Sequence, residues 1–186
     1  MRPLFLTLAL MTAMLPMAVA EEPTDVGTLL QGKLVTPTDT GFVAYAPEKA
    51  TSHDFYVLYF SASWCPTSKN TTPRIVDLYK KERERHQNFE FVFISSDRSE
   101  EEMLQYMRGY RMIWPALKFD KKMVAPALLK PAGRGIPCVV VLDSEGNEVA
   151  SSFEAGKYLG PFKPLETLAK LLDEKKAQET LVGLRD

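Results

Sequence analysis

Cysteine and histidine are scarce: Cys65, Cys138, His53 and His86 are the only ones in 186 residues. The two histidines lie far apart in sequence, so no zinc-type ligand cluster can be assembled from this inventory. A Gly-rich phosphate loop is also missing, because Gly133-Arg134-Gly135 is too short to cradle a phosphate. Charge of one sign is not in excess: 23 Lys and Arg face 24 Asp and Glu, a net charge of −1. That balance gives no electrostatic footprint for nucleic acid or for an anionic membrane. Nothing here implies a metal or another cofactor. Apolar residues make up 45% of the chain, enough for a core and too many for wholesale disorder. The length predicts one domain.

The one long apolar run is at the start. Residues 3–20 carry no charge, and Leu4 to Leu15 is an apolar region interrupted only by Thr7 and Thr12. Pro16 breaks the run, and Ala18-Val19-Ala20 places small residues where a signal peptidase reads. The stretch is shorter than the ~20 apolar residues a spanning helix needs. Residues 1–20 are therefore expected to be a signal peptide, cleaved so that the mature chain starts at Glu21. No membrane partner is expected after cleavage, and the location is expected to be periplasmic or extracellular. Disulfides form and persist in such compartments.

The rest alternates. Residues 21–28 are expected to be a leader, 29–178 the domain, and 179–186 a frayed tail. Leu29 to Val35 and Phe42 to Tyr45 predict a pair of strands around Pro37 to Gly41. Phe55 to Phe60 is a continuous apolar run, which predicts a strand buried on both faces; Phe89 to Ile94 is another strand, and Cys138 to Leu142 a buried one. Pro66 suits the first turn of a helix running to about Arg85, with Pro73 kinking it. Asp97 with Glu100 predicts the start of a second helix carrying Met103, Leu104, Tyr106 and Met107. Lys121 to Lys130 is a short helix at best. Asp143 to Asn147 is a hairpin turn, Phe153 to Lys163 is irregular, and Pro164 opens a last helix. This order predicts a three-layer α/β/α sandwich around a central mixed β-sheet with an extra N-terminal hairpin.

The chemistry concentrates at Ser61-Ala62-Ser63-Trp64-Cys65-Pro66-Thr67-Ser68. A buried strand ends and delivers Cys65 to the start of a helix. The first helical N–H groups have no intrahelical partner, and the dipole is positive there. Both favour a thiolate. Lys69 and Arg74 would add to this if they point back at the sulfur, and the Ser68 hydroxyl stands one turn on. The competing reading is an inert core cysteine.

The segment Tyr59 to Pro66, followed by Thr72-Pro73 and Leu78 to Lys81, closely resembles the tryparedoxin/nucleoredoxin branch of thioredoxin-like proteins. So does Phe89 to Asp97 with Glu100 to Met103. Trp114-Pro115-Ala116 resembles that branch's aromatic loop, and Gly135-Ile136-Pro137 its cis-proline loop. The resemblance spans about Leu29 to Leu172 and implies a thioredoxin-like fold. It implies Cys65 as the attacking cysteine, with Ser68 and Pro137 as the other catalytic positions. Trp64, Pro66, Ile136 and Trp114 are the implied substrate-binding residues, Trp114 either bordering the groove or serving as an aromatic of the core. The position of a buried acid common in thioredoxins is taken here by Tyr59.

One departure from the branch is decisive. Its usual site is Trp-Cys-x-x-Cys, and Ser68 replaces the second cysteine. Attack on a disulfide needs one thiolate, which Cys65 can supply; release needs a second thiol, which Ser68 cannot. The resolving thiol would come from outside or from Cys138. Strand alternation argues that if Pro137 faces Cys65, Cys138 faces away. The expected partners are protein or small-molecule thiols and disulfides. The expected function is thiol–disulfide exchange through Cys65, an oxidoreductase or isomerase-like activity; the alternative is a redox-inactive binding or scaffold module. A thiol peroxidase ranks last, since Leu58 and Ala62 stand where peroxidatic sites want Pro and Thr or Ser.

Overall fold

The computed structural model describes residues 25–46, 53–121 and 135–184. The stretch expected to be a signal peptide, residues 21–24 of the expected leader, most of the short helix expected at Lys121 to Lys130, and residues 185–186 lie outside them.

Seven strands form one mixed sheet in the order β2-β1-β5-β4-β3-β6-β7. The central strands are β3 (Phe55–Ser61), β4 (Phe89–Ser95) and β6 (Cys138–Asp143). β3 pairs parallel with β4 and antiparallel with β6. Every residue of β3 and β4 is buried, which is why both are dominated by apolar residues on both faces rather than alternating, with Glu90 the charged exception in β4. The N-terminal hairpin is β1 (Leu34–Pro37) with β2 (Phe42–Ala44), and β1 joins the sheet through β5 (Ala116–Leu117). β7 (Glu148–Ser151) closes the other edge.

Side-chain parity splits the core into two layers. Val57, Tyr59, Val139 and Val141 pack with α2 (Pro66–Arg85), α3 (Glu100–Gly109) and α4 (Phe162–Gly183). Tyr56, Leu58, Phe60, Cys138 and Val140 face the opposite way, toward α1 (Val26–Leu30).

Four local expectations need correction. Residues 26–30 form a helical turn, not leader and strand. The Asp25 carboxylate accepts from Gly27 N and Thr28 N, and Val26 and Leu30 anchor the turn in the core. The cap of α3 is Ser99, whose hydroxyl accepts from Glu102 N at 3.1 Å, while the Glu102 carboxylate accepts from Arg98 N. The segment expected to be irregular holds a small hairpin, β8 (Phe153–Glu154) with β9 (Lys157–Tyr158). The final helix starts two residues before Pro164 and runs to Gly183, through the stretch expected to fray. Pro73 does lie inside α2, where it withholds one helical N–H.

Candidate active site

β3 ends at Ser61 and the chain turns through Ala62 to Cys65, which is the N-cap residue of α2. Cys65 N–H donates to Ala62 O at 3.2 Å, and Cys65 O accepts the first helical bond from Lys69 N at 3.0 Å. Pro66 at the first helical position has no N–H to leave unpaired. The Cys65 side chain is a free thiol, 8% exposed, and makes no capping bond. Its Sγ faces the Ile136 carbonyl oxygen at 3.8 Å.

That carbonyl belongs to the loop Gly135-Ile136-Pro137, whose Ile136–Pro137 bond is cis, as the resemblance implied. Gly135 has φ +110, a conformation L side chains rarely adopt. The loop leads directly into β6, hydrogen-bonded to β3 on the side away from β4.

Two further loops brace the thiol. Ser96 N donates to Ser61 O at 2.8 Å, tying the ends of β4 and β3 together. Trp64 Nε1 donates to Ser96 O at 2.9 Å, and the ring is 48% exposed beside the sulfur. Asp97 is buried here rather than capping α3. One carboxylate oxygen accepts from Ser63 N at 2.6 Å and the other from Ser95 Oγ at 2.7 Å. Sequence reasoning missed this role because Asp97 also fits a helix cap three residues before a glutamate.

Beneath the site lies a layer of mutually hydrogen-bonded hydroxyls. Thr72 Oγ1 donates to Ser68 O at 2.7 Å, because a carbonyl can only accept. Thr72 therefore accepts from Tyr59 Oη (2.7 Å) and Tyr106 Oη (2.6 Å), and Tyr106 in turn accepts from Ser61 Oγ (3.0 Å). Burial pushes both phenols above their ordinary range, so they stay protonated donors. Tyr59 thus fills the acid's position with a neutral group and supplies no base. Ser68 is fully buried, yet its own Oγ has no hydrogen-bond partner.

The structure brings together Trp64, Cys65, Pro66, Ile136 and Pro137. Pro66 is exposed at the rim and Ser68 lies one turn behind the sulfur. Trp114 does not join them. It is fully buried among Tyr59, Tyr79 and Phe91, with centroids 5.0–6.4 Å away, so it fills the core and borders no groove. Arg74 also points elsewhere, its guanidinium 4.2 Å from the Phe162 ring centroid. Cys138 is buried in the layer opposite α2. Among the described residues no group of three or more His, Cys, Asp or Glu is placed to hold a metal ion. No described helix is long and apolar enough to cross a membrane.

A lone thiol at the start of the helix after a central parallel strand, faced by a proline loop that opens the neighbouring antiparallel strand, defines a thioredoxin-type site. Residues 53–148 match the family described as Thioredoxin-like, and the chain belongs to that family. It is 40% identical over 93 residues to a nucleoredoxin of Danio rerio, a match covering 50% of this chain and 22% of that protein. It is 37% identical over 89 residues to a tryparedoxin of Trypanosoma brucei brucei, covering 47% and 60%. Among solved structures, a tryparedoxin II complexed with glutathionylspermidine superposes with a TM-score of 0.55 at 28% identity, covering 69% of this chain and 88% of that one. The chain thus spans about a fifth of the nucleoredoxin's length and three fifths of the tryparedoxin's.

Proposed function

We propose that the protein carries out thiol–disulfide exchange with Cys65 as its single attacking sulfur. One observation carries this reading: the Cys65 thiol sits at the N-terminus of α2 with its sulfur 3.8 Å from the Ile136 carbonyl of the proline loop. In the first step the Cys65 thiolate attacks one sulfur of a substrate disulfide. A Cys65–substrate disulfide forms, and the other substrate sulfur leaves as a thiolate. In the second step a thiolate from a protein or small-molecule thiol attacks the substrate sulfur and releases Cys65. The electrons that reduce the substrate come from that external thiol. A tryparedoxin neighbour complexed with glutathionylspermidine supports a thiol partner of this kind. The proposed location is periplasmic or extracellular, a reading supported by the signal-peptide pattern of residues 1–20; a protein found in the cytoplasm with residues 1–20 intact would overturn it.

The chemical test is trapping. The protein is mixed with 5,5′-dithiobis(2-nitrobenzoic acid), and the adduct is located by mass spectrometry. Cys65 should form the adduct rapidly and Cys65→Ala should not. A wild-type protein that forms no Cys65 adduct is instead a redox-inactive binding module, the reading that Ser68 otherwise favours.

A further inference from the structure

The β8–β9 hairpin lies outside the main sheet, yet two hydrogen bonds of 2.8 Å pin its first base residue, Ser152, to β6, and a third of 2.8 Å closes the base on that residue. Ser152 N donates to Val139 O, Val139 N to Ser152 Oγ, and Leu159 N to Ser152 O. The hairpin turns sharply at Ala155 and Gly156, both at positive φ. Its last strand ends on Tyr158, whose ring packs 5.0 Å from Phe153. Tyr158 Oη reaches back and donates to Pro137 O at 2.8 Å.

Both carbonyls of the proline dipeptide are thereby engaged: Ile136 O faces the Cys65 sulfur and Pro137 O is held by Tyr158. Burial raises the Tyr158 phenol above its ordinary range, and the nearby Cys138, Tyr59 and Cys65 push it the same way. The phenol therefore stays protonated and remains a donor.

Tyr158 is also a surface. Its side chain is 44% exposed, next to Leu159 at 36%. Trp64 leans toward the β4 side of the β3 end, through Ser96, while Tyr158 stands on the β6 side, through Pro137. Two aromatic walls are thus anchored on either side of the β3 end, one through Ser96 and one through Pro137, whose neighbour Ile136 faces the sulfur. That arrangement fits an extended polypeptide, which can pair its backbone and lay apolar side chains on both rings. A small disulfide reaches the sulfur without needing either wall.

We infer that Tyr158 is a positioning and specificity residue of the Cys65 site: its hydroxyl holds the proline loop against the sulfur, and its ring selects polypeptide disulfides over small ones. This rests on the exchange reading above.

The test uses single-turnover formation of the Cys65 mixed disulfide, quenched with acid. The two disulfides are insulin and 5,5′-dithiobis(2-nitrobenzoic acid). Tyr158→Phe keeps the ring and loses one neutral hydrogen bond, so both rates should fall about fivefold, with their ratio unchanged. Tyr158→Ala should lower the small-disulfide rate no further and the insulin rate about tenfold more, a loss typical of an aromatic anchor. A purely structural tyrosine would change the two rates in proportion in both variants, and that result overturns the inference. So does a Tyr158→Phe protein with unchanged rates. A wild type that reacts with neither disulfide overturns the exchange reading itself, and Tyr158's role with it.

Discussion

Ser68 carries a measurable cost. Its hydroxyl is fully buried, inside a helix, and without a hydrogen-bond partner. An unsatisfied buried polar group costs about 1–3 kcal/mol relative to a satisfied one. Ser68→Ala removes that group, and alanine gains up to ~0.5 kcal/mol in helix propensity. Against this stand the few dispersion contacts of one oxygen atom, at about 0.1–0.2 kcal/mol each. The balance is a gain of about 1–2 kcal/mol, which urea unfolding reads as a higher midpoint at unchanged slope. The same variant should lose Cys65 reactivity at fixed pH, because the hydroxyl is the nearest unspent side-chain donor on the helix turn behind the sulfur. A stability gain with a reactivity loss is the mark of a group kept for chemistry. Ser68→Ala that destabilises by more than 1 kcal/mol would refute the reasoning, since the hydroxyl would then have a partner in solution. Ser68→Cys should restore a dithiol able to release its own mixed disulfides, seen as catalytic turnover in insulin reduction.

Three other perturbations test the frame. Asp97→Ala removes the acceptor of Ser63 N and Ser95 Oγ and should cost about 2–4 kcal/mol in urea unfolding while slowing Cys65 alkylation; Asp97→Asn, which keeps one acceptor oxygen, should lose less. Trp114→Ala should cost about 3–5 kcal/mol of stability, as truncation of a fully buried aromatic does; a cost under 1 kcal/mol with weakened insulin binding would put the ring in the groove after all. Burial holds the Glu90 carboxyl above the usual carboxylate range, although Tyr45 Oη and Phe91 N donate to it. A raised folded value makes its contribution full below the ordinary ~4.3 and lost as pH rises through the folded value. The stability difference between Glu90→Gln and wild type should therefore move in favour of glutamine from pH 4 to pH 8, and a flat difference would contradict this.

The sheet's centre was legible because β3, β4 and β6 are buried on both faces, so each is predominantly apolar along its length, Glu90 being the charged exception in β4. The start of α2 was legible because a proline costs nothing at the first helical position, where the N–H has no partner to lose, and Pro66 follows directly on the buried strand's end. Two other elements carry weak signals for physical reasons. α1 is five residues long, little more than one helical turn and too short to display a periodic pattern, and only the Asp25 cap marks it. The β8–β9 hairpin has strands of two residues and turns through Ala155, a residue type that does not advertise positive φ. The α3 cap was ambiguous in principle, since Asp97 and Ser99 each precede a glutamate by three residues. The structure gives the cap to Ser99 because the Asp97 carboxylate is committed to Ser63 and Ser95, contacts made across 34 and 2 residues of sequence. The direction of Trp114 was open for the same kind of reason, because no local pattern records which side of a short loop a ring takes.

Cys138 shows how far strand parity alone can decide chemistry. Pro137 precedes it, and the Ile136 carbonyl just before faces the Cys65 sulfur. Cys138 is the first residue of β6, in register with Phe60, and its side chain lies with Phe60, Ile94 and Val140 in the layer facing α1. Cys65 caps α2, which packs on the other face of the same sheet. A disulfide needs Cβ vectors that converge, and two side chains on opposite faces of a sheet do not meet that requirement without backbone movement. Cys65 is a free thiol, so no such bond is present. The chain has no third cysteine. Under the exchange reading, a mixed disulfide at Cys65 then persists until a thiol from another molecule reaches it, and the lifetime of that intermediate is set by the partner rather than by this chain.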